Sequence, residues 1–317
     1  MTNDDLPVRL LDGPPLDGAE HRVARQRELG LSNVPDARFD ELARKIVEST
    51  GALAAMVNFV GDQRQYFAGL AVNADSAPGD PALLGDPGRE MDLEHGFCPH
   101  VVTRRKALVL DDVYSYPRFS GNPVVDELGV RSYLGAPIID DDGTVLGTVC
   151  AVDPSPRSGA EYNGWGQRSL DVIKSVASEV IAEIRTRQLV ESTLAAAPGS
   201  VMITTIPGIE VLHANTAHEQ LFGQARQLGD PATVSFPDLT VVGVIAAIEQ
   251  LQRTGEPCVT APVRLATDGR SVLFAVVPVR VPGHDAAVLT LGMIDTEAAH
   301  CAGVAGDLAA SLIKLCD

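Results

Sequence analysis

The stretch VRSYLGAPIIDDDGTVLGTVCAVDPSPR, residues 130–157, places two apolar runs on either side of a polar turn. The runs SYLGAPII and TVLGTVCAVD have the length and side-chain types of strands, and DDDG between them has the composition of a tight turn. Two such runs joined by a short turn pair as an antiparallel hairpin. The stretch therefore predicts two neighbouring strands of an antiparallel sheet.

Further strands and flanking helices precede this hairpin. ALAAMVNFV and RQYFAGL form a second predicted hairpin around the turn GDQ, and ALVLDD is a further strand. Apolar residues at helical spacing predict a helix over DARFDELARKIVESTG, which Gly51 ends. We expect a short helix from Pro99 to Lys106 and a surface loop over residues 73–89, which are rich in Pro, Gly and Asp.

A long helix is predicted from Trp165 to about Ala197, because this segment has no Pro or Gly after Gly166. Its apolar residues follow a coiled-coil-like spacing that Arg187 and Glu191 interrupt. One interpretation is a terminal helix packed on its own sheet. The other is a helix that continues outward as a dimer stalk and joins two domains.

The pattern of strands and helices starts again after residue 199. VMITTI and EVLHA are predicted strands, and a short helix follows that Asn215 caps and Gly223 ends. A helix from Pro237 to Arg253 comes next, and then three β runs, PCVTAPVRLA, SVLFAVVPVRV and AAVLTLGMID. The predicted fold class is thus α+β, with two domains that each have a central antiparallel sheet flanked by helices, joined by the long helix.

Composition limits the classes of function. The net charge of −17 argues against nucleic acid and membrane as direct partners, because phosphate contacts need clustered cations. No apolar run reaches the roughly 18–20 residues that span a bilayer, and the N-terminus lacks the features of a signal peptide, so we expect a cytoplasmic protein. Neither a disulfide framework nor a structural zinc site is expected, because the five cysteines are odd in number and contain no C-x-x-C pair.

The series FCPHVV, ALVLDDVYSYPRFSGNPVV and VRSYLGAPIIDDDGTVLGTVCAVDPSPR, with the long helix after it, resembles bacterial GAF domains over residues 36–188. The resemblance implies a central antiparallel sheet and a small-molecule or cofactor pocket under a cover of short helices and loops. Residues 189–296 resemble a PAS domain, on the evidence of Asn215, Gly223 and the closing sequence DTE at 295–297. Residues 1–35 are predicted as a flexible or partly helical arm, and residues 297–317 as a helical tail without a visible partner.

The segment HGFCPHVV, residues 95–102, raises the question of what Cys98 does. A cysteine at a helix N-terminus can be a reactive nucleophile, which would make the chain an enzyme. His95, Cys98 and His100 are also three candidate metal ligands, and Cys-Pro can bind haem, but the residues around them do not indicate a metal, haem or flavin. The interpretation we prefer makes Phe97 and Cys98 packing groups at the edge of the pocket.

The ligand-binding residues predicted for this pocket lie on four segments. They are Phe97, Cys98, Asp112, Arg118, Phe119, Tyr133 and Cys150. In one interpretation Arg118 binds an anionic group of the ligand and Phe119 forms a wall. In the other, Asp112 and Arg118 form an internal ion pair that fixes the loop. Tyr133 and Cys150 lie on the following strands, where alternation lets either point inward.

These expectations describe a small-molecule-binding regulatory or sensor protein. Because no kinase, P-loop or DNA-binding motif is recognisable, the signal is expected to pass through dimer or partner contacts. We expect a homodimer, with a kinase or phosphatase as a candidate partner. The alternatives are a thiol reductase that resembles the free methionine sulfoxide reductases and uses Cys98, and a ligand-free scaffold or accessory subunit.

Overall fold

A computed structural model describes residues 16–73, 88–157, 164–223, 229–264, 269–281, 284–294 and 296–316. The chain divides into two compact units, Met1–Arg185 and Thr186–Asp317. Residues 1–15 of the predicted arm and residues 74–87 of the predicted surface loop lie outside the described residues. No helix in the part of the chain that the structure describes is long and apolar enough to cross a membrane.

Unit 1 is built on a six-stranded antiparallel sheet in the order β3-β2-β1-β6-β5-β4. Its strands are β1 (Ala54–Val60), β2 (Arg64–Val72), β3 (Glu90–Asp92), β4 (Leu108–Leu110), β5 (Ser132–Ile139) and β6 (Val145–Asp153). The hairpin predicted from residues 130–157 is β5 and β6, which pair antiparallel from Ser132↔Asp153 onward. The predicted β1–β2 hairpin is likewise confirmed.

The helices of unit 1 cover both faces of this sheet. They are α1 (Ala19–Glu28), α2 (Ala37–Thr50), α3 (Cys98–Arg104), α4 (Pro123–Glu127) and α5 (Gly166–Ala195). Side chains of β1 alternate between the faces, as strand geometry requires. Ala55, Val57 and Phe59 pack in the cluster that contains buried residues of α2 and α5. Ala54 faces the cluster that contains residues of α3 and α4.

The predicted end of α2 at Gly51 is confirmed, and Asp36 caps the start of the helix. The carboxylate of Asp36 accepts hydrogen bonds from the backbone N–H groups of Arg38 and Phe39, which is the N-cap arrangement. Gly51 ends the helix at φ 64°, a left-handed conformation that glycine adopts without strain. These caps fix the length of α2 and bring its buried face onto the sheet.

Helix α5 is continuous from Gly166 to Ala195. Ile173 and Val180 of its first half are buried in the unit 1 core, as is Ile184 one turn later. The first half of α5 therefore packs on its own sheet, as the first of the two interpretations predicted. The division between the compact units falls within this helix, after Arg185.

Unit 2 contains a second antiparallel sheet, in the order β10-β11-β12-β7-β8, with β9 paired to β11. Its strands are β7 (Ser200–Thr205), β8 (Val211–Ala214), β9 (Cys258–Val259), β10 (Val263–Arg264), β11 (Ser271–Val281) and β12 (His284–Ile294). Its remaining helices are α6 (Thr216–Phe222), α7 (Ala232–Ser235), α8 (Asp238–Val241), α9 (Val244–Thr254) and α10 (Ala298–Cys316). Both units are thus antiparallel sheets with helices, as the predicted fold class requires.

Two predictions for this half are wrong. The single helix predicted from Pro237 to Arg253 is divided into α8 and α9, because Gly243 adopts φ 78° between them. The C-terminal helix predicted without a partner has one: Cys301, Ala305 and Leu312 of α10 are buried in the cluster that contains side chains of β11 and β12. Its small residues gave a weak sequence signal, although they allow the helix to approach the sheet closely.

The predicted cap of α6 is confirmed. The side-chain oxygen of Asn215 accepts from the N–H of His218, and Gly223 ends the helix at φ 66°. The His218 ring is fully buried and its Nδ1 lies 3.1 Å from the Ser200 hydroxyl. Burial, followed by the charge of His213, lowers the pKa of His218 to about 3. The ring is therefore neutral at physiological pH.

Candidate functional site

A cavity of about 50 Å³ lies between the sheet of unit 1 and its cover of α3 and α4. Most of its lining is apolar, and we call it the thiol cavity after the two cysteines in its wall. It is lined by Ala54, Met56, Gln65, Phe67, Leu70, Met91, Gly96, Phe97, Cys98, Val124, Leu128, Val130, Tyr133, Cys150 and Val152.

The alternation of the central strands explains the floor of the cavity. In the register of β1 and β6, Ala54 lies opposite Val152 and Met56 opposite Cys150. All four side chains line the cavity because residues two apart on a strand share a face. Thr148, two residues before Cys150, is fully buried on the same strand.

Two side-chain amides hold the cover in place. Asn122 accepts hydrogen bonds from the N–H groups of Gly96 and Val124, and its own NH₂ group donates to the carbonyls of Glu94 and Gly96. The NH₂ group of Gln65 donates to the carbonyls of Asp92 and His95, at 2.8 Å each. The segment that leads into α3 is therefore tied both to the start of α4 and to the sheet.

Aromatic rings form the wall between α3 and β5. The Phe97 ring contacts Tyr133 edge to face, with 5.2 Å between ring centroids, and Phe119 in the same way at 5.8 Å. Phe97 and Tyr133 line the cavity, whereas Phe119 packs behind Phe97. Edge-to-face pairs of this kind add about 0.5–1.5 kcal/mol each beyond the burial of their area.

The two cysteines in the wall are adjacent in space although 52 residues separate them in sequence. Their Sγ atoms are 3.5 Å apart, and both thiols are free. The Tyr133 hydroxyl donates to Cys98 Sγ at 3.4 Å. The hydrogen bond with Cys150 lowers the pKa of Cys98 to about 6 although burial opposes that shift, and the same hydrogen bond, together with burial, raises the pKa of Cys150.

Gly135 makes room for the Tyr133 hydroxyl. A Cβ atom at Gly135 would collide with this hydroxyl and would lie 2.6 Å from the Cζ atom of the same ring. The missing side chain therefore lets the tyrosine lie along its own strand and reach Cys98. This arrangement could not be predicted from the sequence, because a glycine within a strand usually indicates a bulge.

Asp112 and Arg118 do not line the thiol cavity. The predicted ion pair between them is wrong, because Asp112 pairs with Arg131, with 3.0 Å between Arg131 Nη2 and Asp112 Oδ1. Asp112 also accepts from the N–H of Tyr114. Arg118 is exposed, and its guanidinium lies 5.8 Å from the centroid of the Phe119 ring. The partner of Asp112, Arg131, lies directly before β5. This pairing could not be predicted from nearness in the sequence, which favours a partner within the same loop.

The histidines on either side of Cys98 point to other partners. His95 Nε2 lies 3.2 Å from a carboxylate oxygen of Glu127, and the His100 ring packs edge to face on Phe119 at 5.0 Å. Burial, followed by the charges of Arg118 and Arg104, lowers the pKa of His100 to about 4. Within the described ranges, no group of three or more His, Cys, Asp or Glu side chains is arranged to hold a metal ion.

With this geometry established, comparisons with known proteins identify the fold of unit 1. Residues 34–184 match the family model of the GAF domain. This part of the chain is a GAF domain. The resemblance predicted from the segments around Cys98 and the β5–β6 hairpin is thus confirmed.

A curated protein is similar to about half of the chain. A cyclic di-GMP phosphodiesterase of Pseudomonas aeruginosa is 27% identical over 176 residues, which are 55% of this chain and 27% of that protein. The chain therefore spans about a quarter of the length of this relative. The phosphodiesterase activity in its name is that of the Pseudomonas aeruginosa protein.

Three solved structures are similar to about half of this chain. The PixJ GAF domain of Thermosynechococcus elongatus is 19% identical, with a TM-score of 0.40, and the match covers 55% of this chain and 94% of that one. The GAF domain of an Acinetobacter phosphoenolpyruvate-protein phosphotransferase is 13% identical, with a TM-score of 0.35 and coverage of 56% and 98%. The free methionine-R-sulfoxide reductase of Neisseria meningitidis is 15% identical, with a TM-score of 0.34 and coverage of 56% and 98%.

Of the seven residues predicted to bind ligand, the structure brings four into the wall of one cavity in the GAF domain: Phe97, Cys98, Tyr133 and Cys150. Sequence reasoning missed Gln65 and Asn122, which position the cover. A signal for Asn122 existed, since Asn before Pro is typical of a helix N-cap followed by its first residue. Gln65 gave a weaker signal, as a polar residue inside an otherwise apolar strand.

Proposed function

We propose that the chain is a regulatory or sensor protein whose GAF domain binds a small molecule in the thiol cavity. GAF domains are typical of small-molecule-binding signalling proteins. The observation that carries the proposal is the thiol cavity itself, a small space with apolar walls whose lining residues include Gln65, Tyr133 and the two cysteines. A few polar groups in an apolar wall are the usual composition of a ligand pocket.

The size of the cavity suggests how binding produces a signal. At roughly 10–15 Å³ per water, a cavity of about 50 Å³ holds a few waters in the present conformation. A larger ligand therefore requires the cover to move outward, and α4, with only five residues, is the smallest element of that cover. Such a ligand stabilises the displaced cover and shifts the population of the two states.

Filling the cavity from its floor tests the proposal. We expect Ala54→Leu to place additional carbon atoms in the cavity and to reduce ligand occupancy at least about tenfold, which corresponds to about 1.4 kcal/mol of binding free energy. Native mass spectrometry of protein purified from its own cells measures the occupancy. Ala54→Ser, which adds little volume at the same position, is the control and keeps its ligand. Equal occupancy in the leucine variant would contradict binding in the thiol cavity.

The proposal extends to the rest of the chain. We propose that residues 189–296 are a PAS-like domain, supported by the Asn215 cap and the Gly223 end of α6. We further propose that α5 transmits the movement of the cover, and that a homodimer in the cytoplasm passes the signal to a kinase or phosphatase. Support for this part is the unbroken course of α5 from Gly166 to Ala195.

A second candidate function is a thiol reductase of sulfoxides, and the Sγ–Sγ distance of 3.5 Å favours it, because such an enzyme needs a second cysteine beside its nucleophile. Cys98 would attack the sulfoxide, Cys150 would close the disulfide, and the sulfoxide would leave as thioether and water. The test is turnover of free methionine sulfoxide with dithiothreitol as reductant. Multiple turnovers that Cys98→Ser abolishes would establish the enzyme, and unaltered turnover in that variant would eliminate it.

A further inference from the structure

We propose that Cys98 and Cys150 form a redox-active dithiol that a hydroperoxide converts into a reversible disulfide across the thiol cavity. Cys98 is the first residue of α3 in the cover, and Cys150 lies on β6 in the sheet. Their Sγ atoms are 3.5 Å apart, so a bond of about 2.05 Å requires an approach of roughly 1.5 Å. Rotation of two short side chains, with a small shift of α3, supplies a movement of this size.

Simple packing is the alternative explanation, since buried cysteines often behave as small apolar side chains. The surroundings of Cys98 argue against it. Tyr133 is almost fully buried, and its hydroxyl uses a cysteine sulfur as acceptor, which is a weak partner unless the sulfur is a thiolate. The Thr148 hydroxyl, also buried, has no hydrogen-bond partner among the described residues.

These groups stabilise a thiolate on Cys98. The contact with Cys150 is the largest influence on its pKa, which is about 6, and the polar side chains of Thr148, Tyr133 and Asn58 act in the same direction. Burial together with the charge on Cys98 raises the pKa of Tyr133, so its hydroxyl keeps its proton and stays a donor. The thiolate, not the thiol, is the nucleophile in cysteine oxidation.

Oxidation proceeds in two balanced steps. The Cys98 thiolate attacks the hydroperoxide, an S–O bond forms, the O–O bond breaks, and the departing oxygen is protonated and leaves as an alcohol or water. Cys150 then attacks the sulfenic sulfur of Cys98, an S–S bond forms, the S–O bond breaks, and the hydroxyl leaves as water with the Cys150 proton. Two thiols have lost two electrons and the peroxide has gained them. A thiol reductant reverses the reaction through exchange.

Both thiols are within reach of such an oxidant through the space that they line. Hydrogen peroxide is little larger than water, and the cavity holds a few waters. The disulfide would join the cover to the floor and hold α3 against β6. Reduced ligand binding in the oxidised state is the expected consequence, and this consequence alone rests on the proposed function.

The test treats the reduced full chain with equimolar hydrogen peroxide and maps disulfides by mass spectrometry of peptides. We expect a Cys98–Cys150 crosslink, a mass decrease of about 2 Da from the loss of two hydrogens, and full reversal by dithiothreitol. Oxidation at Cys98 should be at least tenfold faster than at Cys258, whose pKa burial raises. Cys258 is the internal control, because its side chain is partly accessible and no other thiol of the described residues lies beside it.

Variants of Cys150 and Tyr133 test the crosslink and the stabilised thiolate separately. In Cys150→Ala the crosslink is lost: one equivalent of peroxide converts Cys98 into the sulfenic acid, with a mass increase of about 16 Da, and a second equivalent converts it into the sulfinic acid, with a total increase of about 32 Da. Tyr133→Phe leaves both thiols in place but removes one donor to the thiolate, so oxidation should slow about tenfold, as expected for a charge-assisted hydrogen bond of about 1.4 kcal/mol. A Cys98 that reacts no faster than Cys258, or that stays uncrosslinked in the unmodified chain, would overturn the proposal. Neither outcome bears on whether the cavity binds a ligand.

Discussion

Replacing Arg157 with alanine should lower the free energy of unfolding of unit 1 by about 3–5 kcal/mol, the range for breaking a buried ion pair. Arg157 donates to the carbonyls of Thr50 and Gly51 at 2.8 and 2.7 Å, and to the Asp153 carboxylate at 2.9 Å. Its guanidinium also lies 4.1 Å from the centroid of the Trp165 ring. One side chain therefore joins the end of α2, the end of β6 and the segment that begins α5.

The magnitude follows from the groups that alanine would leave behind. Two carbonyls and a carboxylate would lose their charged donor, and each hydrogen bond to a charged group contributes about 1.5–3 kcal/mol to stability. Urea unfolding followed by the fluorescence of Trp165, the single tryptophan, measures the change. Arg157→Lys keeps the charge without the planar fork and should give an intermediate loss. A loss below about 1 kcal/mol in the alanine variant would show that these contacts are dispensable.

The second large effect is expected for Gly147→Ala. A Cβ atom at this position would collide with the carbonyl oxygen of Asn58 and would lie 2.8 Å from the Cα atom of Phe59. Both obstacles are backbone atoms of β1, so the strand itself must move. Overpacking of this kind typically destabilises by 1–3 kcal/mol, and we expect about 3 kcal/mol or more because no side chain can yield.

The same variant tests the floor of the thiol cavity, because β1 carries Ala54 and Met56. Its urea midpoint should fall, and native mass spectrometry should show weaker ligand retention. Gly306→Ala is the control: this glycine lies exposed within α10 with no atom near a built Cβ, so alanine should be neutral or stabilise the helix by up to about 1 kcal/mol. If Gly147→Ala unfolds at the same urea midpoint as this control, the close approach of β1 and β6 does not contribute to the free energy of unfolding.

The sequence predicted those elements whose signals are local. Two apolar runs around the turn DDDG predicted β5 and β6, and Gly51 predicted the end of α2. It could not predict how distant elements meet. Cys150 touches Cys98 only because β6 is a central strand beneath α3, and Asp112 selects Arg131 because β5 starts beside it.

The remaining differences also have physical causes. Gly243 in a left-handed conformation divides a segment whose apolar spacing suits one helix. Alanine and glycine in α10 weaken its amphipathic pattern, although Cys301 and Ala305 are fully buried against the sheet. The hollow between the sheet and the cover depends on how side chains from several segments fill space, which no single stretch of sequence records.

A crystal structure of the full chain purified from its own cells is the most direct test of the central claim that the thiol cavity is the ligand site. The account predicts density for a small molecule enclosed by Ala54, Val124, Tyr133 and the two cysteines, with α4 moved outward. A cavity that is closed by side chains, with the co-purified molecule bound at another surface, would contradict it.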